Sequence, residues 1–232
     1  NEFTEIIITD KNKNKYYIRN NTLYYVDLFD NSHLYVKPGE ESSEDDIKNN
    51  EILHIPFFVE KLNFPSFPHI KRIDWGINPN VIDLGPERHF SYYNLIDFTI
   101  PKTVTTVSPH LFEHCHFLKI IKFEKESKLT EISPFCFAHT RIEEVQLPES
   151  VQIIGESAFY GNKYLKEVTF EGEIIKNNAF GETGITEFKL SNNTKTIESN
   201  AFRDCHSLTK FEIDINKSKL EEIGSYAFSE TS

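Results

Sequence analysis

The chain has 232 residues, with 36 acidic side chains against 25 basic ones and a formal net charge of -11. That balance argues against a nucleic-acid partner, because a binder of phosphate backbones needs a basic stripe whose cations release condensed counterions. No apolar run is long enough to cross a bilayer, and the start, NEFTEIIITD, lacks the basic flank and apolar stretch of a signal peptide.

The sequence contains no Met and stops at Ser232, four residues past its last repeat anchor, so it reads as a fragment or a processed product of a longer protein. Three Cys, an odd number, do not make a disulfide framework.

Residues 1–50 read as a β-rich cap. EFTEIIITD, KYYIRN, TLYYVDLF and HLYVK are short β-branched and aromatic runs broken by Lys-Asn and Asn-Asn turns, which predicts hairpins. A repeat stack leaves its first apolar face and strand edge open, and an atypical terminal element usually covers them. The acidic stretch 38–50, PGEESSEDDIKNN, has almost no apolar residue and predicts a mobile surface loop.

From 51 to 232 one unit recurs about eight times, the last copy incomplete. Its anchors are Phe64, Phe90, Phe112, Phe137, Phe159, Phe180, Phe202 and Phe228, spaced 21 to 26 residues apart. Five residues before the anchor stand Val107, Ile132, Ile154, Ile175, Ile197 and Ile223. A period in this range means a solenoid, in which each unit buries its apolar face only against its neighbours.

Two forms alternate. The first inward strand residue lies six after the anchor in the long form (Ile70, Leu118, Leu165, Leu208) and five after it in the short form (Leu95, Ile142, Ile185). Period-two alternation then turns Ile142, Val145 and Leu147 inward and Glu144 and Gln146 outward on a strand. Pro56, Pro101 and Pro148 end strands because they have no N–H to donate. The segments IGESAF, IESNAF and IGSYAF predict single helical or 3₁₀ turns, too short for independent helices. Cys115 and Cys205 sit three after their anchors, where other repeats carry Thr140, Asn162 and Thr183, and Cys136 replaces the Ala of the Ala-Phe pair. They read as small buried structural residues.

The units SVQIIGESAFYGNKYLKEVTF, TKTIESNAFRDCHSLTKFEI and SKLEEIGSYAF resemble the BspA-like leucine-rich repeats, with their Ile-Gly-x-x-Ala-Phe-x-x-Cys-x-x-Leu core. The resemblance runs from about Val104 to the end, is degenerate around Phe64 and Phe90, and does not reach residues 1–50. It implies an α/β right-handed solenoid with short parallel strands on the concave side and short helical or 3₁₀ turns opposite. It also implies surface or secreted proteins of bacteria and protists used in adhesion and in host or matrix binding, with no catalytic motif and no cofactor.

No Gly-x-Ser-x-Gly, phosphate-cradling glycine loop or His-Glu-x-x-His occurs, so no enzyme is expected. His114 and His139 share a repeat position, two after the anchor; roughly 5 Å apart on neighbouring repeats, they read as a solvated turn pair, with a shared metal as the alternative. The sequons at Asn20, Asn192 and Asn216 matter only in a secretory setting.

Outward strand positions form two columns: Arg72, Asp97, Ile120, Glu144, Glu167, Glu187, Lys210, and beside it Asp74, Thr99, Lys122, Gln146, Thr169, Lys189, Glu212. Glu144, Gln146, Glu167, Thr169, Glu187, Lys189 and Lys122 are the expected partner-binding residues, on a face that holds a host, matrix or cell-surface protein. The alternative is an intracellular structural scaffold built from the same repeats and contacting through its ends; separately, the strand 208–213 reads as an open edge where an edge-to-edge dimer through the C-terminal end can form. A cell-surface or secreted location goes with the first, a cytoplasmic one with the second.

Overall fold

The computed structural model describes residues 71–76 and 79–231, together with five short strands within 6–63. Those strands are Ile6–Thr9 (β1), Lys15–Arg19 (β2), Thr22–Val26 (β3), Ile52–His54 (β4) and Lys61–Asn63 (β5). β1, β2 and β3 form an antiparallel meander, and β3 runs parallel to β5. The expected fourth run near residue 35, the acidic stretch 38–50, Phe64 and Ile70 lie outside the described residues.

From Arg72 onward each repeat contributes one longer strand: Arg72–Asp74 (β6), Asp97–Ile100 (β7), Ile120–Phe123 (β8), and then Glu144–Gln146 (β10), Glu167–Thr169 (β12), Glu187–Lys189 (β14) and Lys210–Glu212 (β16). A second side of the coil is made of two-residue strands: Glu131–Ile132 (β9), Ile153–Ile154 (β11), Ile174–Ile175 (β13), Thr196–Ile197 (β15) and Glu222–Ile223 (β17). These five form one parallel sheet in the order β17-β15-β13-β11-β9. The Ile five before each anchor is therefore a strand residue: Ile132, Ile154, Ile175 and Ile197 are fully buried on this side.

The third side corrects the expectation of helical turns. There is no helix among the described residues. Residues two before and two after each anchor from Phe90 onward adopt the left-handed region, as at Ser157 (φ 52°) and Gly161 (φ 72°), Asn178 (53°) and Glu182 (55°), and Asn200 (59°) and Asp204 (57°). A left-handed residue interrupts a right-handed helix. The hydrogen bonds follow from this geometry. Ser157, Phe159 and Gly161 donate their N–H groups across to Asn177, Ala179 and Gly181 of the next repeat, all at 2.9 Å. Between them, Ala158, Tyr160 and Asn162 donate three residues back within the turn, at 3.2, 3.1 and 3.3 Å. Alternate N–H groups thus leave the turn and build a third inter-repeat ladder, which an α-helix, with every donor used internally, would not supply. Gly161 suits its place twice over: it takes a positive φ, and a Cβ there would stand 2.4 Å from His139 Nδ1.

All three sides close on the anchors. Phe90, Phe112, Phe137, Phe159, Phe180 and Phe202 are fully buried. With partly buried Phe228 they make one continuous stack whose successive ring centroids are 5.2 to 5.5 Å apart.

Candidate functional site

The long strands pair in parallel, and their register sets what lies beside what. Glu144 stands opposite Glu167, and Gln146 opposite Thr169. Asp97 faces Ile120 and Thr99 faces Lys122; Ile120 in turn faces Glu144. Glu187 faces Lys210, and Lys189 faces Glu212. Buried Ile121, Val145, Val168 and Phe188 occupy the intervening positions. The pleat therefore sends Lys122, Glu144, Gln146, Glu167, Thr169, Glu187 and Lys189 outward, where all seven are exposed.

The face is not a uniform acidic ladder. Lys210 Nζ lies 3.3 Å from Glu187 and 2.6 Å from Glu212. Its own pKa is raised, chiefly by Glu212 and then Glu187, and Lys210 holds Glu212 below the usual carboxylate range. At the other end Arg72 pairs with Asp97 at 2.6 Å. Glu144 and Glu167, by contrast, face each other with no cation within 4.0 Å among the described residues, and Lys122 and Lys189 likewise make no ion pair. The β12–β14 junction is looser than its neighbours: Thr186 N reaches Lys166 O at 3.5 Å. The structure thus brings Glu144 to Glu167 and Gln146 to Thr169, while Glu187 and Lys189 are bound up with β16. Sequence reading placed Lys210 in the column but missed that it neutralises Glu187. Over β12, β14 and β16 the outward side chains border a hollow of 1140 Å³ that includes Glu167, Thr169, Glu187, Lys189, Phe211 and Glu212.

His114 and His139 are neighbours, as the spacing predicts, but their rings stack face to face, 4.7 Å between centroids and 1° between planes. Parallel stacked rings turn π-faces, not lone pairs, toward each other. Tyr92, at the same repeat position, extends the stack 4.9 Å from His114. Burial, then the adjacent His139, holds His114 below the ordinary imidazole value. Among the described residues no group of three or more His, Cys, Asp or Glu is arranged to hold a metal.

The cysteines occupy structural positions. All three are free and buried. Burial pushes the Cys115 thiol up to about 12 and raises Cys136 and Cys205 as well. Cys115 and Cys205 donate at 3.0 Å to the carbonyls of Phe90 and Phe180, the anchors one repeat upstream.

The comparisons agree with this geometry. A model of the BspA type leucine rich repeat region matches in six copies, over residues 83–209 and 173–232. Among curated proteins none matches. A crystal structure of the pneumococcal vaccine antigen PcpA is similar at TM-score 0.57 and 17% identity, covering 97% of this chain and 68% of that one. A leucine-rich repeat protein from Bacteroides ovatus gives 0.54 at 18% identity, over 100% of this chain and 57% of that one. One from Eubacterium ventriosum gives 0.55 at 21%, over 96% and 51%. The chain therefore spans roughly half to two thirds of the length of these structures, and at such identities the likeness is one of fold. With the repeat model covering most of the chain and the strands coiled into a parallel solenoid, the chain belongs to the BspA type leucine-rich repeat family.

Proposed function

We propose that this chain is a non-enzymatic binding module that holds a host, matrix or cell-surface protein on its long-strand sheet, and that it works at the cell surface or as a secreted protein. The observation that carries the reading is the Glu144–Glu167 pair, two exposed carboxylates set opposite each other with no cation within 4.0 Å among the described residues. Like charges roughly 5 Å apart repel by about 1 kcal/mol even at water's dielectric, a cost that a basic side chain of a partner relieves. Gln146 and Thr169 beside them supply uncharged donors and acceptors, and Lys122 and Lys189 set the polarity in which a partner docks. The description of a Faecalibacterium prausnitzii neighbour as a cell surface protein supports the location.

Reversing Glu144, Glu167 and Glu187 to Lys is expected to leave the melting temperature within a few degrees of the parent, because all three side chains are exposed. On a biosensor presenting immobilised extracellular-matrix proteins, the parent's binding should weaken as salt rises, and the triple variant's should be lost. Undiminished binding by the triple variant moves the site off this face.

A further inference from the structure

Counting from the anchors hides one column of side chains. Phe117, Arg141 and Tyr164 each immediately precede the first inward strand residue of their repeat (Leu118, Ile142, Leu165), so the fold sets them side by side at the rim between the turns and the long-strand sheet. Arg141 donates from Nη2 to Tyr164 Oη at 3.0 Å, and its guanidinium carbon lies 4.6 Å from the Tyr164 ring centroid. Phe117 and Tyr164 remain 53% and 49% exposed. Together with His116, His139 and Lys163 they border a shallow cleft of about 380 Å³.

The charged side chains that line it are cations. In a chain of net charge -11, no lining residue of this cleft is acidic. Neither Arg141 nor Lys163 has a carboxylate partner within 4.0 Å among the described residues. Arg141 spends one donor on Tyr164, and a guanidinium has five. No residue lining the cleft belongs to a strand. An extended peptide therefore finds no strand edge to join. At 380 Å³ the cleft is at the small end of ligand sites, which run about 300–1,000 Å³. Exposed aromatic surface beside two uncompensated cations, in a space for one or two rings, suits a compact anion with an apolar face.

We propose that this rim cleft binds acidic carbohydrate, the C–H face of a pyranose packing on Phe117 and Tyr164 while Arg141 and Lys163 hold its carboxylate or sulfate. A guanidinium is suited to the bidentate geometry of either group. The site is separate from the Glu144–Glu167 pair and of opposite charge, so it stands whether or not that face binds protein.

The test is calorimetric titration of the 232-residue chain with trigalacturonate, with maltotriose as the neutral ring control and inorganic sulfate as the bare anion control. The parent is expected to bind trigalacturonate and to bind both controls far more weakly. Arg141→Gln and Lys163→Gln should each weaken trigalacturonate binding about tenfold, the worth of one charge-assisted hydrogen bond. Phe117→Ser should weaken it with the charges intact. These side chains lie at the surface, and an unchanged melting temperature checks that each variant folds. The triple Glu-to-Lys variant of the sheet face should bind the sugar at least as well as the parent. No heat with trigalacturonate, equal binding of maltotriose or of sulfate, or an Arg141→Gln/Lys163→Gln double variant indistinguishable from the parent would each overturn the proposal.

Discussion

Phe159→Ala is expected to destabilise the chain by about 3 to 5 kcal/mol, the cost of lost transfer energy and of the cavity left behind. The site offers little room for collapse. Phe159 is fully buried, and its ring is stacked on Phe137 and Phe180 at 5.5 Å on either side. Each aromatic neighbour adds roughly 0.5–1.5 kcal/mol beyond area alone. In a solenoid, stability is a sum of repeats and nearest-neighbour interfaces, so a break in the middle of the stack uncouples the repeats on its two sides. Thermal unfolding followed by circular dichroism should show a lower and broader transition for Phe159→Ala. Phe228→Ala gives the internal comparison: Phe228 is only partly buried and stacks on one anchor, Phe202, at 5.3 Å, so its loss should cost less. Equal melting of Phe159→Ala and the parent would refute the anchor stack as the source of stability.

From Phe90 onward the anchors, the inward strand residues and the outward columns were legible because each depends on a count: a fixed offset from a Phe, then a period of two. The register of β10 against β12 follows from the same count, and Glu144 opposite Glu167 comes out as expected. The turns were not legible by that route. An apolar residue five before the anchor and an Ala-Phe pair mimic the spacing of a short helix, and hydrophobicity does not record the sign of φ. The signal lay in residue type: His110, His114, His139, Asn178, Asn200 and Asp204 stand at left-handed places, and these residues tolerate that region better than most. Arg141 beside Tyr164 was hidden for a different reason. The short repeat lacks one turn residue, so the two lie four and five after their anchors, and aligning on the anchors separates what the strand start superposes. The pairing of Lys210 with Glu187 needs side-chain geometry as well as register. Lys210 has carboxylates both across the strand and two residues along it, and it reaches both.

The second large effect is expected at Asn162, where the repeats solve one problem in different ways. The position three after the anchor is buried beside the anchor carbonyls, and Cys115, Asn162, Thr183 and Cys205 each donate to one of them. Cys115 and Cys205 donate to the anchor carbonyl one repeat upstream. Thr183 donates to its own anchor, Phe180, at 2.8 Å. Asn162 does both, from Nδ2 to Phe137 O at 2.7 Å and to Phe159 O at 2.8 Å, while its Oδ1 accepts from the Thr140 hydroxyl. Asn162→Ala therefore strips the partner from the Phe137 carbonyl and from the Thr140 hydroxyl inside a fully buried site, while the Phe159 carbonyl keeps the N–H of residue 162. At about 1–3 kcal/mol for each buried polar group orphaned, the loss should reach about 2 kcal/mol or more. Asn162→Cys restores the upstream bond in the manner of Cys205 but not the other two, so its cost should fall between Ala and the parent. Adding Thr140→Val to Asn162→Ala removes the stranded hydroxyl, and the double variant should be less destabilised than the sum of the two single changes. Denaturant titrations of the four variants decide the matter. An Ala variant that costs no more than the Cys variant, or single changes that simply add, would mean that packing volume and not this hydrogen-bonded spine sets the residue at the third place after the anchor.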